Sequence, residues 1–284
     1  MVGAALLFAL MSVMVKVLSH SLPNAMVVFL RSGLSLLVLL PFILRRGAGR
    51  LRTRHLGEHV VRGTFGMVGM YCFFFVIAKL GLAEALLLNY SLPLFIPLVE
   101  RAWLGEPTPP GVWRPIAIGM LGLVFILKPG FGLFQPAALV GVVGALFAAT
   151  AQVGVRRLTL TEPITNIVFY FSVCSTLIGL GPALFAWVTP AVSTIPIVLA
   201  MVAAGTLAQL MMTRAYQLAP AGQVGPFIYG SVAFAALFDW LLFSRHPDGL
   251  SSLGTALVVG AGILALRGGR KARGDQATAS VLSE

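Results

Sequence analysis

PITNIVFYFSVCSTLIGLGPALFAWVTPAVSTIPIVLAMVAAGTLAQLMMT, residues Pro163–Thr213, runs for 51 positions without a charged side chain. A helix needs about 20 apolar residues to cross about 30 Å of hydrocarbon. The run is therefore long enough for two crossings, with the turn between them at Trp187-Val188-Thr189-Pro190 through Pro196. Reading outward from it in both directions gives ten apolar stretches of spanning length. They lie near 2–18, 25–44, 61–79, 84–102, 113–129, 136–156, 164–187, 194–215, 222–243 and 251–267.

The whole composition agrees with that reading. Hydrophobic residues make up 58% of the 284 positions and charged residues 10%, against roughly a quarter charged in a soluble domain. So few charges cannot cover a soluble surface of this size. In lipid every backbone polar group must be satisfied within its own segment or in a closed barrel. The alternation of barrel strands is missing, so the stretches are expected to be helices. The first is not expected to be a secretory leader, because it lacks a basic start and nine more apolar stretches follow it.

The second half repeats the first. With an offset of 140, Lys16 meets Arg156, Pro23 meets Pro163, Val28-Phe29 meets Val168-Phe169 and Ser32 meets Ser172. With an offset of 137, Ala78 meets Ala215 and Trp103 meets Trp240. Five spans per copy is an odd number, so the second copy enters the membrane from the opposite side. Inverted repeats of this kind build secondary transporters, with the solute site between the halves near the bilayer centre. The expected fold class is an all-α integral membrane protein of ten transmembrane helices in two inverted five-helix repeats. The repeats cover 1–134 and 135–267, followed by a basic cytoplasmic tail, 268–284, that its composition marks as disordered.

The net charge of +11 is an orientation signal and not a nucleic-acid footprint. The even-numbered loops and the tail carry fifteen Lys and Arg, namely Arg45, Arg46, Arg50, Arg52, Arg54, Arg62, Arg101, Arg114, Arg156, Arg157, Arg214, Arg267, Arg270, Lys271 and Arg273. The opposite side carries four, Lys16, Lys79, Lys128 and Arg245. By the positive-inside rule both termini are expected in the cytoplasm, and the same residues suit anionic lipid. Cys72 and Cys174 fall within spans, where a small apolar thiol is ordinary packing. No Cys/His cluster has metal-ligand spacing, no Gly-rich loop ends in Lys-Ser/Thr, and no Gly-x-Ser-x-Gly elbow occurs. The chain carries no ATPase machinery, so uphill transport must borrow an ion or solute gradient.

The fourth stretch reads Leu88-Asn89-Tyr90-Ser91-Leu92-Pro93-Leu94-Phe95-Ile96-Pro97. Its two prolines each remove a backbone donor and clash with the preceding turn. The ninth stretch is interrupted at the corresponding place, Pro226-Phe227-Ile228-Tyr229-Gly230-Ser231. One such kink is common and is satisfied by Ser or water. A matched pair beside Asn89, Tyr90 and Tyr229 points to a central binding site, with Pro93, Pro97, Pro226 and Gly230 as hinges. Intramembrane charges face a polar interior or a partner, which brings in Arg31, about two turns into the second stretch. Lys79 and Glu84 bracket a short turn and suit either a mutual ion pair or a solute contact. Glu100-Arg101 and Asp239 fall near span ends, where snorkelling or helix pairing is expected. Tyr71, Gln152, Asn166, Gln209 and Tyr216 complete a polar lining, whereas Phe169 and Tyr170 read as packing or interfacial aromatics. Gly63, Gly66 and Gly69, Gly119 and Gly122, and Gly141 and Gly144 recur at three-residue spacing and read as close-packing faces.

Leu92-Pro93, Trp103-Leu104-Gly105-Glu106, Gly119-x-x-Gly122 and Leu30-Arg31 opening a Leu-rich span that ends at Arg45-Arg46 resemble the EamA repeat of the drug/metabolite transporter superfamily. The second copy keeps Ala215-Tyr216, Trp240 and a Gly-rich last span but lacks the Leu-Gly-Glu ending. The run as a whole is also similar to YddG-type aromatic amino-acid exporters of bacterial inner membranes. The resemblance implies a ten-helix carrier moving metabolites by alternating access, with helices 1, 3, 4, 6, 8 and 9 and parts of 2 and 7 around the cavity and 5 and 10 outside it. It implies amino-acid-like solutes and the lipid bilayer as partners. No cofactor or metal is expected, and the chain is expected as a monomer or weak homodimer.

Two other readings compete. A nucleotide-sugar or phosphate-ester exchanger of the same fold needs several inward-facing Lys or Arg as anion clamps, and the deep basic residues are few. A membrane-embedded lipid-modifying enzyme needs an acid/base or metal constellation at one interface, and none is visible. The absence of a carboxylate squarely mid-span favours facilitated diffusion or exchange over obligatory proton antiport.

Overall fold

The computed structural model describes residues 1–45, 51–80, 82–106, 111–129, 133, 135–243 and 248–281. Arg46, Arg50 and Arg245 lie outside the described residues, as do the side chains of Arg45, Glu84, Asp239, Arg270, Lys271 and Arg273. Among the described residues the protein is an all-α membrane fold without strands. The helices are α1 (Val2–Leu18), α2 (Asn24–Arg45), α3 (Leu56–Leu80), α4 (Leu82–Asn89), α5 (Leu92–Leu104) and α6 (Trp113–Leu127), then α7 (Ala137–Leu158), α8 (Ile164–Phe185), α9 (Ile195–Leu218), α10 (Ala221–Val224), α11 (Gly230–Phe243) and α12 (Gly249–Val281). Short 3-10 turns at Val192–Thr194 and Gly225–Tyr229 precede α9 and α11. Among the described residues five helical runs are long and apolar enough to cross a membrane, and Val2–Leu18, Trp113–Leu127 and Gly249–Ala265 are shorter apolar helices.

The two stretches expected to be interrupted are the two that split. The fourth becomes α4 and α5 with a break at Tyr90-Ser91, and the ninth becomes α10, a 3-10 turn and α11. Pro93 supplies the reason for the first break. It has no N–H for the carbonyl four residues earlier, that of Asn89, and its ring crowds that carbonyl. Placed in the first turn of α5, the same proline costs nothing, since the N–H groups there have no intrahelical acceptor. In the ninth stretch Pro220 precedes α10 and Pro226 sits in the 3-10 turn.

Contacts divide the chain into two compact units. The first holds Met1–Val68 and Thr150–Leu218, with α1 packed on α9 and α2 on α8 and α9. Small residues permit this. Ala4, Ala5 and Ala9 are buried on α1, and Ala204, Gly205 and Ala208 on α9. Without a hydrophobic drive between helices in lipid, such surfaces provide the dispersion contact that holds them. Leu18, Leu22, Met26, Val27, Val198, Met201 and Val202 form the apolar cluster at one end of this packing.

The second unit holds Gly69–Ala149 and Ala219–Glu284, and its main contact is α6 on α12. Gly122 and Gly254 meet backbone to backbone. A Cβ on Gly122 would lie 2.7 Å from the Gly254 carbonyl oxygen, and one on Gly254 2.6 Å from the Gly122 oxygen. Gly69 and Gly144 likewise bring α3 and α7 together, a Cβ on Gly69 falling 3.0 Å from the Gly144 oxygen. The glycines spaced by three are thus found at helix crossings.

Three charged positions are placed by contacts that the sequence left open. Arg62, counted among loop cations, lies within α3 and is 4% exposed. Arg156, also counted there, donates from Nη1 to the carbonyls of Tyr216 at 3.0 Å and Gln217 at 3.3 Å. Those carbonyls belong to the last turn of α9, whose oxygens lack intrahelical donors and favour a cation. Glu100 does not snorkel. It is 2% exposed and accepts from the backbone N–H groups of Ala221 and Gly222, the latter at 2.8 Å. It thereby satisfies the free donors at the start of α10, which is the helix-pairing alternative. α12 runs on to Val281.

Candidate functional site

Within the second unit, the two helix breaks are joined. The hydroxyls of Tyr90, in the α4–α5 break, and Ser231, in the first turn of α11, lie 3.1 Å apart. Ser231 Oγ is also 2.6 Å from the Ile228 carbonyl. A hydroxyl has one proton, so when Ser231 donates to Ile228 it accepts from Tyr90. Ser91 Oγ in turn donates to the Leu88 carbonyl at 2.6 Å, repairing one acceptor left by the break. Asn89 is half-buried at the end of α4, and Lys79 is exposed near the end of α3.

Tyr229 was expected to line a cavity beside Asn89 and Tyr90. Its ring lies on Gly119 of α6, where a Cβ would come within 2.3 Å of ring carbon Cδ2, in an apolar cluster against which Tyr90 also packs. Leu87, Leu123, Val232 and Val258 surround it. The missing side chain at Gly119 is the space that admits this ring. The Tyr229 hydroxyl is buried and has no hydrogen-bond partner among the described residues. Tyr71 is 38% exposed.

The first unit contains a buried polar core. His59 and Arg62 are one helical step apart on α3 and therefore share a face. The guanidinium carbon of Arg62 stands 3.7 Å from the centroid of the Phe171 ring on α8. Such a stack returns about 0.5–2 kcal/mol, less than the cost of a charge removed from water. Arg62 Nε and Nη1, both ring nitrogens of His59, Gln152 Oε1 and Ser175 Oγ are buried without hydrogen-bond partners among the described residues. These atoms come from α3, α7 and α8. Gly66 of α3 lies between the last two helices, a Cβ there falling 3.5 Å from Phe171 and 3.7 Å from Ala151. More than nine in ten buried polar groups in native structures are paired, so this concentration marks a place where water or solute belongs.

Arg31 of α2 is half-buried. Its Nε lies 3.5 Å from where a Cβ on Gly205 of α9 would stand. One turn along, Ser35 and Thr206 hydroxyls are 2.7 Å apart, joining α2 to α9. Gln209 and Tyr216 are buried on α9. The acids of this unit are engaged elsewhere. Glu162 accepts from Thr53 Oγ1 and, at 3.3 Å, from Asn166 Nδ2. Glu58 pairs with Arg157 at 3.1 Å and with His55 at 3.6 Å.

Of the expected site residues, Arg31, Gln152, Gln209 and Tyr216 belong to the first unit, and Lys79, Tyr71, Asn89, Tyr90 and Tyr229 to the second. Sequence reading missed His59, Arg62 and Ser175. The signal was present in His59-x-x-Arg62, two polar groups on one helical face leading into an apolar run. Among the described residues no cluster of His, Cys, Asp or Glu can hold a metal ion.

Comparison with known proteins agrees with this architecture. The sequence profile of the EamA-like transporter family matches residues 1–128 and again 135–267. The chain is 33% identical over 259 residues to the pseudopaline exporter CntI of Pseudomonas aeruginosa, covering 90% of each. It is 31% identical over 270 residues to a riboflavin transporter of Rhizobium johnstonii, covering 94% of this chain and 89% of that one. To an S-adenosylmethionine uptake transporter of Rickettsia bellii it is 25% identical, over 92% and 89%. A solved crystal structure superposes with a TM-score of 0.81 at 22% identity, over 94% of this chain and 96% of that one, a likeness of fold.

Proposed function

The chain belongs to the EamA-like transporter family, a membrane carrier of small metabolites and not an enzyme, and we propose that it exports amino acids and related amphipathic metabolites, aromatic ones among them. The export runs across the bacterial inner membrane by alternating access, with both termini cytoplasmic. The observation that carries this reading is the polar core of the first unit, where cationic and neutral hydrogen-bonding groups stand beside aromatic rings. His59 stacks on Tyr170 with centroids 4.4 Å apart, and Phe171 lies under Arg62. An amino acid with an aromatic side chain presents a carboxylate, an ammonium and a flat apolar ring. Arginine, Gln152 and the aromatic faces each complement one of these. The relatives include an exporter and uptake carriers of different compounds, so family membership alone sets neither solute nor direction.

The breaks at Tyr90-Ser91 and Gly225–Tyr229 supply hinges for the proposed rocking, with Pro93, Pro97, Pro226 and Gly230 at the joints. Cells producing the protein and fed a phenylalanine-containing dipeptide should excrete phenylalanine faster than cells without it. Equal excretion, with the protein folded in the inner membrane, contradicts the reading.

A further inference from the structure

We propose that Arg62 receives the carboxylate of the transported solute, and that the carrier selects aromatic solutes by this carboxylate without requiring an ammonium. The inference rests on the transport reading above and names the group recognised and the residue that recognises it.

α3 meets α8 at two glycines. A Cβ on Gly63 would lie 2.6 Å from Cys174 Cβ, and one on Gly66 3.5 Å from the Phe171 ring. Arg62, beside Gly63, is 4% exposed, with its guanidinium carbon 3.7 Å from the Phe171 centroid. The ring replaces water on one side of the guanidinium but offers it no hydrogen-bond acceptor. Nε and Nη1 are buried and unpaired among the described residues. A buried charge left without a partner is strongly destabilising, and intramembrane cations of this kind mark solute pathways. Arginine's planar donor set matches a carboxylate, which a lysine cannot reproduce.

The neighbours of Arg62 suit the same group. His59, on the same face of α3, stacks on Tyr170 and keeps both ring nitrogens open; a neutral imidazole has one N–H to donate. Ser175, one turn beyond Phe171 on α8, has an open hydroxyl. Phe171 and Tyr170 add flat apolar faces for a ring attached to the carboxylate. An ionic partner for an ammonium is what this unit lacks. Its sequence ranges, 1–68 and 150–218, contain two acids, Glu58 and Glu162. Glu58 pairs with Arg157 and His55, and both oxygens of Glu162 accept, from Thr53 and Asn166. Gln152 Oε1, also open, gives an ammonium one neutral acceptor, which tolerates it without requiring it.

The test uses the purified full chain in detergent and in proteoliposomes. Three probes share one phenyl ring: phenylalanine, 3-phenylpropionate, which keeps the carboxylate alone, and 2-phenylethylamine, which keeps the ammonium alone. Thermal stabilisation of the wild type should be seen with both carboxylates and not with the amine. Arg62→Met should weaken binding of both carboxylates roughly tenfold or more, the usual scale for losing a hydrogen bond to a charged group. Without solute the same variant should melt at or above the wild-type midpoint, because it removes an unpaired buried charge. Arg62→Lys should bind with intermediate strength. His59→Phe, which keeps a ring on Tyr170, should weaken carboxylate binding by roughly two- to tenfold. The proposal is overturned if the amine binds and 3-phenylpropionate does not, or if Arg62→Met binds the carboxylates as the wild type does. It is overturned if both Arg62 variants melt well below the wild type without solute, which makes Arg62 a structural residue. It is also overturned if neither carboxylate stabilises the wild type while phosphatidylglycerol or chloride does so through Arg62, since the anion is then a headgroup or an inorganic ion. Arg62-dependent binding of the carboxylates without transport of any probe upholds the site and contradicts the transport reading. Phenylalanine transport that Arg62→Met leaves unchanged does the reverse.

Discussion

Tyr90 and Ser231 place their hydroxyls 3.1 Å apart, so the interruption in the fourth apolar stretch is fastened to the one in the ninth. The residues are 141 positions apart in the chain. The family profile matches the chain twice, at 1–128 and 135–267, and each match contains one of the breaks.

Tyr90→Phe removes this bond and keeps the ring. A hydrogen bond of this kind contributes about 0.5–1.5 kcal/mol, so a modest fall in thermal midpoint in detergent is expected. If the breaks act as hinges, the transport rate shifts by more than the midpoint implies. A variant unchanged in both respects contradicts a hinge role for the pair.

Glu100 secures α10, whose four residues are too few to stand without tertiary support. Glu100→Ala leaves two backbone N–H groups unpaired and should cost about 1–3 kcal/mol for each that stays buried. Glu100→Gln retains one acceptor oxygen and should lose less. Chemical denaturation of the three proteins in one detergent gives the order; equal stability for Ala and wild type refutes the capping role.

Gly122→Ala tests the α6–α12 crossing. In an open helix this change gains about 1 kcal/mol. Here the new methyl would meet the Gly254 carbonyl, which cannot rotate away, and overpacking costs about 1–3 kcal/mol. Net destabilisation is expected, with a larger loss for Gly122→Val. Gly249→Ala, at an open position with nothing near its Cβ, serves as the control and should lose nothing.

Lys128 and Asp248 form an ion pair at the ends of α6 and α12. The Lys128 ammonium and the Ser251 backbone N–H hold the Asp248 carboxyl well below the usual carboxylate range. A depressed acid stabilises the fold fully above its unfolded value of about 3.9 and loses that contribution as pH falls through the folded value. Below about pH 4 the stability of wild type should therefore fall more steeply than that of Asp248→Asn. Parallel curves for the two proteins refute the assignment. Both side chains are exposed, so the effect should also shrink with added salt.

The all-helical class was legible because a charge-free run of 51 residues admits one interpretation in physical terms. The breaks were legible because proline at positions 93 and 226 acts locally, through the carbonyl four residues back. Side-chain direction was not. Tyr229 carries the same hydroxyl as Tyr90, yet Gly119, more than a hundred residues earlier, decides where its ring goes. Arg62 was hidden by its position at the edge of an apolar stretch, where a cation reads as an orientation signal. Only the approach of α8, bringing Phe171 over the guanidinium, shows that it is buried. For Glu100 the sequence left snorkelling and helix pairing both open, because the backbone donors it caps lie 121 and 122 positions away.

The central claim is that this carrier moves amino-acid-like solutes, and uptake of a labelled panel into proteoliposomes tests it most directly. The panel holds aromatic, aliphatic and acidic amino acids with a nucleotide sugar and a phosphate ester, each measured with and without a pH gradient. Aromatic and related amino acids should enter down their own gradient, and should continue to do so when the pH gradient is collapsed. Transport of the nucleotide sugar or phosphate ester with no amino acid carried under either condition would contradict the account.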